Sequence, residues 1–115
     1  MKRITKKLLQ AKGACAEQVA LFDRLWPKGV VPSLKALQRA DREGLDLTWF
    51  VDHTLSPANW LVFTRDLEAA FSQYETACRV DGKEAFHAVL VAAINEYSAS
   101  RIKAILKAMQ RENNA

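Results

Sequence analysis

Turn formers are scarce in this chain: four glycines and three prolines in 115 residues. A sandwich or barrel of many short strands needs more of them, so the shortage favours helices. There are two cysteines, Cys15 and Cys78, and neither belongs to a C-x-x-C pair. They are expected as buried free thiols in a reducing, cytosolic compartment. A bridge between them would require Cα atoms within about 7 Å. No run approaches the ~18 apolar residues of a membrane span. The basic start is followed by LLQAKGACA, where Lys12 interrupts the apolar stretch that a secretory leader needs.

The chemistry-bearing patterns are also missing. There is no G-x-S-x-G, no phosphate-cradling glycine loop and no H-E-x-x-H. The two histidines, His53 and His87, lack a His or Cys partner three or four residues away. Asp52 beside His53 does not help, because neighbouring helical side chains point about 100° apart and do not converge on one ion. Paired acids occur around Gly44 and at Asp66/Glu68, but they alternate with Arg42 and Arg65 and read as a solvated face rather than a general acid in a pocket. The expectation is no enzyme, no metal and no cofactor.

What is present is half apolar, with three Trp, five Phe and two Tyr. That supplies one core and a single domain over residues 1–115. Helical periodicity runs through the chain. Residues 4–12 place Ile4, Leu8 and Leu9 on one side, and Gly13 breaks the pattern. In 14–26, Cys15, Val19, Phe22 and Trp26 step by four, three and four, and Pro27 ends the segment. Ser33 reads as an N-cap for a helix ending at Gly44, Asp46 as the next cap, and Ser56-Pro57 as a strong start. From there Trp60, Phe63, Leu67, Phe71, Tyr74 and Cys78 form the most regular stripe, with Trp60 expected in the core. Of Trp49 and Phe50, adjacent on a helix, one is expected at an edge or partner surface. Asp81-Gly82 marks another break, followed by Phe86, Leu90, Ala93, Ile94 and Tyr97. Ser98–Ser100 either interrupts this helix or is tolerated inside it, the rotated stripe Ile102, Ile105, Leu106, Met109 favouring a kink near Ser98, and residues 111–115 are read as a frayed tail. No segment alternates with period two, and Pro32 argues against a strand in GVVPSL. The fold expected is all-α: a single compact irregular bundle of five to six helices.

Charge is unevenly distributed. The basic N-terminal segment 1–12 has five cations and no acid, residues 101–115 have four cations and one acid, and 13–100 have eight cations against twelve acids. Such separation recruits partners at long range without naming them. The acidic stretch 41–75 holds Asp41, Glu43, Asp46 and Asp52 with Trp49 among them, a combination suited to a basic groove on a protein partner. These five are the candidate partner-binding residues. The alternative is nucleic-acid binding through Lys2, Arg3, Lys6, Lys7, Lys103, Lys107 and Arg111, if the two ends merge into one basic patch. Homodimerisation is a further expectation, because Val62, Val91 and Ile94 suggest surplus apolar surface. No membrane association is expected.

Ala14-Cys15-x-Glu17-Gln18-Val19-x-Leu21-Phe22, with Gly44-Leu45-Asp46-Leu47-x-Trp49, resembles a pattern in small helical proteins encoded by bacteriophages and prophages. The resemblance covers about a third of the chain and involves packing and capping residues. It implies an accessory protein that acts by binding, for example as an inhibitor of a nucleic-acid-processing defence system such as CRISPR–Cas. No residue matches an inhibitor motif, so this implication is one of analogy.

Overall fold

Side-chain caps set where most of the helices begin. The computed structural model describes residues 3–79 and 83–114, with the backbone alone for 83–87 and 114. Among the described residues six helices follow one another: α1 Lys6–Ala11, α2 Ala16–Leu25, α3 Leu34–Glu43, α4 Leu47–Thr54, α5 Pro57–Ala77 and α6 Lys83–Asn114. The Ser33 hydroxyl accepts from the Ala36 amide, an Asp46 carboxylate oxygen from Trp49, and the Ser56 hydroxyl from Asn59. Each occupies an otherwise orphaned first-turn donor, worth about 1 kcal/mol. Pro57 follows its cap at the first helical position, and Gly44 closes α3 in the left-handed region at φ 94°. These four boundaries lie where the sequence places them; the Asp81-Gly82 break lies outside the described residues.

The chain is an all-α irregular bundle. Among the described residues the nearest approach to a sheet is one antiparallel bridge, Ile4 to Val30, with N···O distances of 2.8 and 2.9 Å. Thr5 caps α1, so Ile4 falls outside the helix and pairs with the segment after α2 instead. Gly29 makes that pairing possible. Its φ is +81°, and a Cβ there would stand 2.6 Å from the Ile4 carbonyl oxygen.

Two apolar clusters result. The larger joins α3, α4, α5 and α6 through Leu37, Val51, Phe63, Ile102, Ile105 and Met109 among others. The smaller joins α1 and α2 through Leu9, Val19 and Phe22. Ile4, Trp26, Leu45 and Phe50 touch both. Trp26 packs its ring 5.4 Å from Phe22, and the Arg39 guanidinium lies over the Trp26 ring at 5.7 Å.

The most extensive helix contact is between α5 and α6. These two helices outrun the rest, stretching the molecule to 51 × 30 × 21 Å with a radius of gyration of 16.1 Å. A sphere-like chain of this length would have about 13 Å.

Several expectations are corrected. The helix α6 continues unbroken for 32 residues, so Ser98–Ser100 is tolerated inside it and the favoured kink is absent. Serine costs only a few tenths of a kcal/mol in a helix interior, and the long contact with α5 supports the segment. The tail is not frayed before Asn114: a Glu112 carboxylate oxygen accepts from the Ser56 amide at 3.0 Å and from the Asn59 side chain. Cys15 is exposed because it is the N-cap position of α2, and Cys78 is half-buried at the end of α5. Both are free, but neither is a core thiol. Trp60 is 39% exposed and Phe71 47%, while Phe63 is buried and Leu67 packs on the core, so the regular α5 stripe is a core line only in part. On α5 the buried side chains are Phe63, itself a member of that stripe, and Ala70.

Candidate functional site

The acidic residues read as a partner surface are largely engaged within the chain. Asp41 pairs with Arg101 at 3.2 Å, and Arg101 also donates to the Thr48 hydroxyl at 3.0 Å. Asp46 caps α4, while its own amide donates to the Gln18 side chain at 2.8 Å. Asp52 accepts from the Trp60 indole at 3.0 Å, which ties α4 to the start of α5. Glu43 is exposed at the end of α3. Trp49 and Phe50 are both half-buried and both pack on the small cluster. The reason is the length of α4: eight residues wedged between two clusters give core neighbours to side chains 100° apart. Trp49 stacks on His53 at 4.4 Å, and His53 Nδ1 lies 2.8 Å from the Trp49 carbonyl oxygen. The His87 side chain lies outside the described residues. Among the described residues, no three His, Cys, Asp or Glu side chains converge as metal ligands would.

The cations of the two chain ends have different surroundings. Lys6 stands 3.8 Å from Asp23, and Arg3 donates to the carbonyls of Lys28 and Gly29. Arg3 and Lys12 line one cleft of about 410 Å³ together with Glu112 and Asn113. The two chain ends therefore do come side by side, but the C-terminal one brings an acid there. Lys103 and Lys107 line a different groove, between α5 and α6, with Asp66. Arg111 reaches Asp66 at 3.7 Å, too far for a hydrogen bond, and its Nε and Nη2 are buried without an acceptor. Lys7 is exposed on α1, and Lys2 lies outside the described residues.

The surface that remains open is apolar. On α6, Val91, Ile94, Ser98, Ile102, Ile105 and Met109 step by three, four, four, three and four, so they form one line rather than two rotated ones. Where α3 and α4 cover the line, Ile102, Ile105 and Met109 are 3%, 0% and 5% exposed. Beyond that cover, Val91 and Ile94 are 44% and 45% exposed. On α5, Phe71 is 47% exposed at the same level of the helix pair. Phe71 lies 6.0 Å from Tyr97 across the helix pair, and Tyr74 sits 5.8 Å from Tyr97. The Tyr74 phenol is held above its ordinary pKa chiefly by a hydrogen bond with the Cys78 side chain. The outer halves of α5 and α6 thus form a two-helix arm that leaves Phe71, Val91 and Ile94 exposed. Periodicity marked each of these residues as apolar. It carried no signal that α3 and α4 would stop short of them.

A nearly wholly apolar cavity of about 60 Å³ lies at the seam between the two clusters, bordered by Leu9, Phe22, Leu37 and Trp49. No helix among the described residues is long and apolar enough to cross a membrane. Comparison with protein-family models, curated proteins and solved structures returns no match.

Proposed function

We propose that this chain is a non-catalytic interaction protein that docks a protein partner on the open face of the α5–α6 arm. The observation that carries the reading is the line of residues on α6 that is buried at Ile105 and 45% exposed at Ile94. An apolar face of that kind is more costly in water than the polar surface around it, and such faces mark association sites. The acidic residues of 41–52 then have two tasks. Asp41, Asp46 and Asp52 hold the body together, and Glu43 contributes to the long-range field that orients a partner.

The narrower form of the proposal follows the resemblance to phage and prophage proteins. In it the partner is a nucleic-acid-processing defence complex such as CRISPR–Cas, and the chain is its inhibitor. Charge separation and resemblance are all that support this narrower form.

The experiment is affinity capture from a bacterial lysate, with and without nuclease, using the natural chain, Phe71→Glu and Glu43→Lys. Docking on the arm requires a nuclease-resistant partner that Phe71→Glu loses and Glu43→Lys retains. A partner lost on nuclease treatment, together with a gel shift that collapses between low and moderate salt, would instead favour Lys103 and Lys107 as a nucleic-acid contact.

A further inference from the structure

We infer that the arm is covered by the arm of a second copy of this chain, packed antiparallel about a two-fold axis. This rests on the reading of the arm as the docking surface and names what docks there.

The chemistry of the cover is already present within the chain. Leu37, Leu47 and Val51 of α3 and α4 bury the inner half of the α6 line. A helix bearing aliphatic side chains at similar spacing suits the outer half, and the arm itself presents such helices. A two-fold contact is isologous: the same patch serves both copies, so self-complementarity is the sole requirement. Phe71 of one arm against Val91 and Ile94 of the other meets it.

Area then selects the orientation. From Leu67 to Cys78 the face is about 17 Å long at 1.5 Å per residue, and two adjacent helices are about 20 Å wide. The arm face alone supplies roughly 350 Å², less than half of the ~800 Å² per partner in a stable pair. The remainder has to come from contact between the end of each arm and the partner's body, and only an antiparallel pair makes that contact.

Charge selects the same orientation. In the arm, residues 67–79 and 88–100 carry one cation and three acids, whereas residues 3–59 carry nine cations and six acids and residues 101–114 four cations and one acid. Antiparallel packing lays an acidic arm beside a basic body twice over. Parallel packing lays acid against acid, and like-charge juxtaposition of this kind is repulsive.

Sedimentation equilibrium of the full chain tests the inference. The expected mass at about 0.1 mM is twice the 12.9 kDa of the monomer, and the association weakens as salt is raised. Phe71→Glu and Ile94→Glu weaken association at least about tenfold, with helicity by circular dichroism unchanged because both side chains lie outside the core. Leu61→Glu, at an exposed apolar residue outside the α5 stripe, leaves it unchanged. Orientation is read in a Cys15→Ser background with a short bis-maleimide, after a monofunctional maleimide has confirmed that Cys78 reacts. Antiparallel arms keep the two Cys78 thiols apart, so the dimer does not cross-link; efficient cross-linking overturns the orientation. A monomer throughout this range, or a dimer indifferent to both glutamate substitutions, overturns the inference. A monomer that still loses a captured partner on Phe71→Glu overturns self-association alone. If neither mass nor capture responds to arm substitutions, the docking reading itself fails.

Discussion

The two halves of α6 carry one apolar line and meet opposite fates. From Ile102 to Met109 the line lies beneath α3 and α4, and Ile105 is sealed from solvent. From Val91 to Ile94 the same kinds of side chain, at the same spacing, face outward. The difference is not one of local sequence, since isoleucine at 94 is as apolar as isoleucine at 105. It arises because helices α1 to α4 are short and collect at one end of the long α5–α6 pair. A side chain's burial is set by what the rest of the chain can reach.

The sharpest test of this contrast is a pair of equivalent truncations followed by urea denaturation. Ile105→Ala removes a fully buried side chain and is expected to cost about 2–5 kcal/mol. Ile94→Ala is expected to change stability by no more than about 0.5 kcal/mol at low protein concentration. Similar costs at both sites would abolish the distinction between covered and open halves. A cost at Ile94 that grows with protein concentration would sharpen it, because the second copy would then be supplying the cover.

Smaller effects probe how the body is held against the inner half. Gly29→Ala places a β-carbon against the Ile4 carbonyl oxygen at a positive φ, so a loss of about 1–3 kcal/mol is expected. Thermal unfolding gives the value, and an unchanged midpoint would mean that the Ile4–Val30 bridge contributes nothing. Asp46→Ala removes the α4 cap and should cost about 1 kcal/mol; Asp46→Asn should restore most of it.

The smallest effect depends on pH. Hydrogen bonds from the Asn59 side chain and the Ser56 amide hold the Glu112 carboxyl below its ordinary value of 4.5. A depressed folded-state pKa stabilises the folded chain above the unfolded value. That contribution is lost as pH falls from about 4.5 through the lower folded value. Glu112→Gln should therefore lower the midpoint at neutral pH and leave it nearly unchanged in strong acid. A neutral-to-acid difference as large as that of the natural chain would show that the end of α6 is not held by this carboxylate.

Much of the local structure is legible in the linear text. Ser33, Gly44, Asp46 and Ser56-Pro57 act through bonds or torsions spanning four or five residues, so their roles follow from neighbours alone. The candidate site is less legible. Asp41 and Asp52 look unpaired in a list of charges, but Arg101 and Trp60, sixty and eight residues away, donate hydrogen bonds to them. The stripe from Trp60 to Cys78 looks like a core line because its periodicity is regular, yet α6 approaches it from one side and leaves Trp60 and Phe71 exposed. Glu112 looks like part of a loose tail because its partners, Ser56 and Asn59, lie more than fifty residues upstream.

The amino-acid sequence by itself determined that this chain is helical, most of the points where its helices start, and which residues are apolar, because capping, torsional preference and periodicity act over one or two turns. Only the tertiary structure decided which apolar residues are core and which charges are free. Those outcomes depend on the relative lengths and placement of distant helices, and on this chain the four short ones cover just one end of the two long ones.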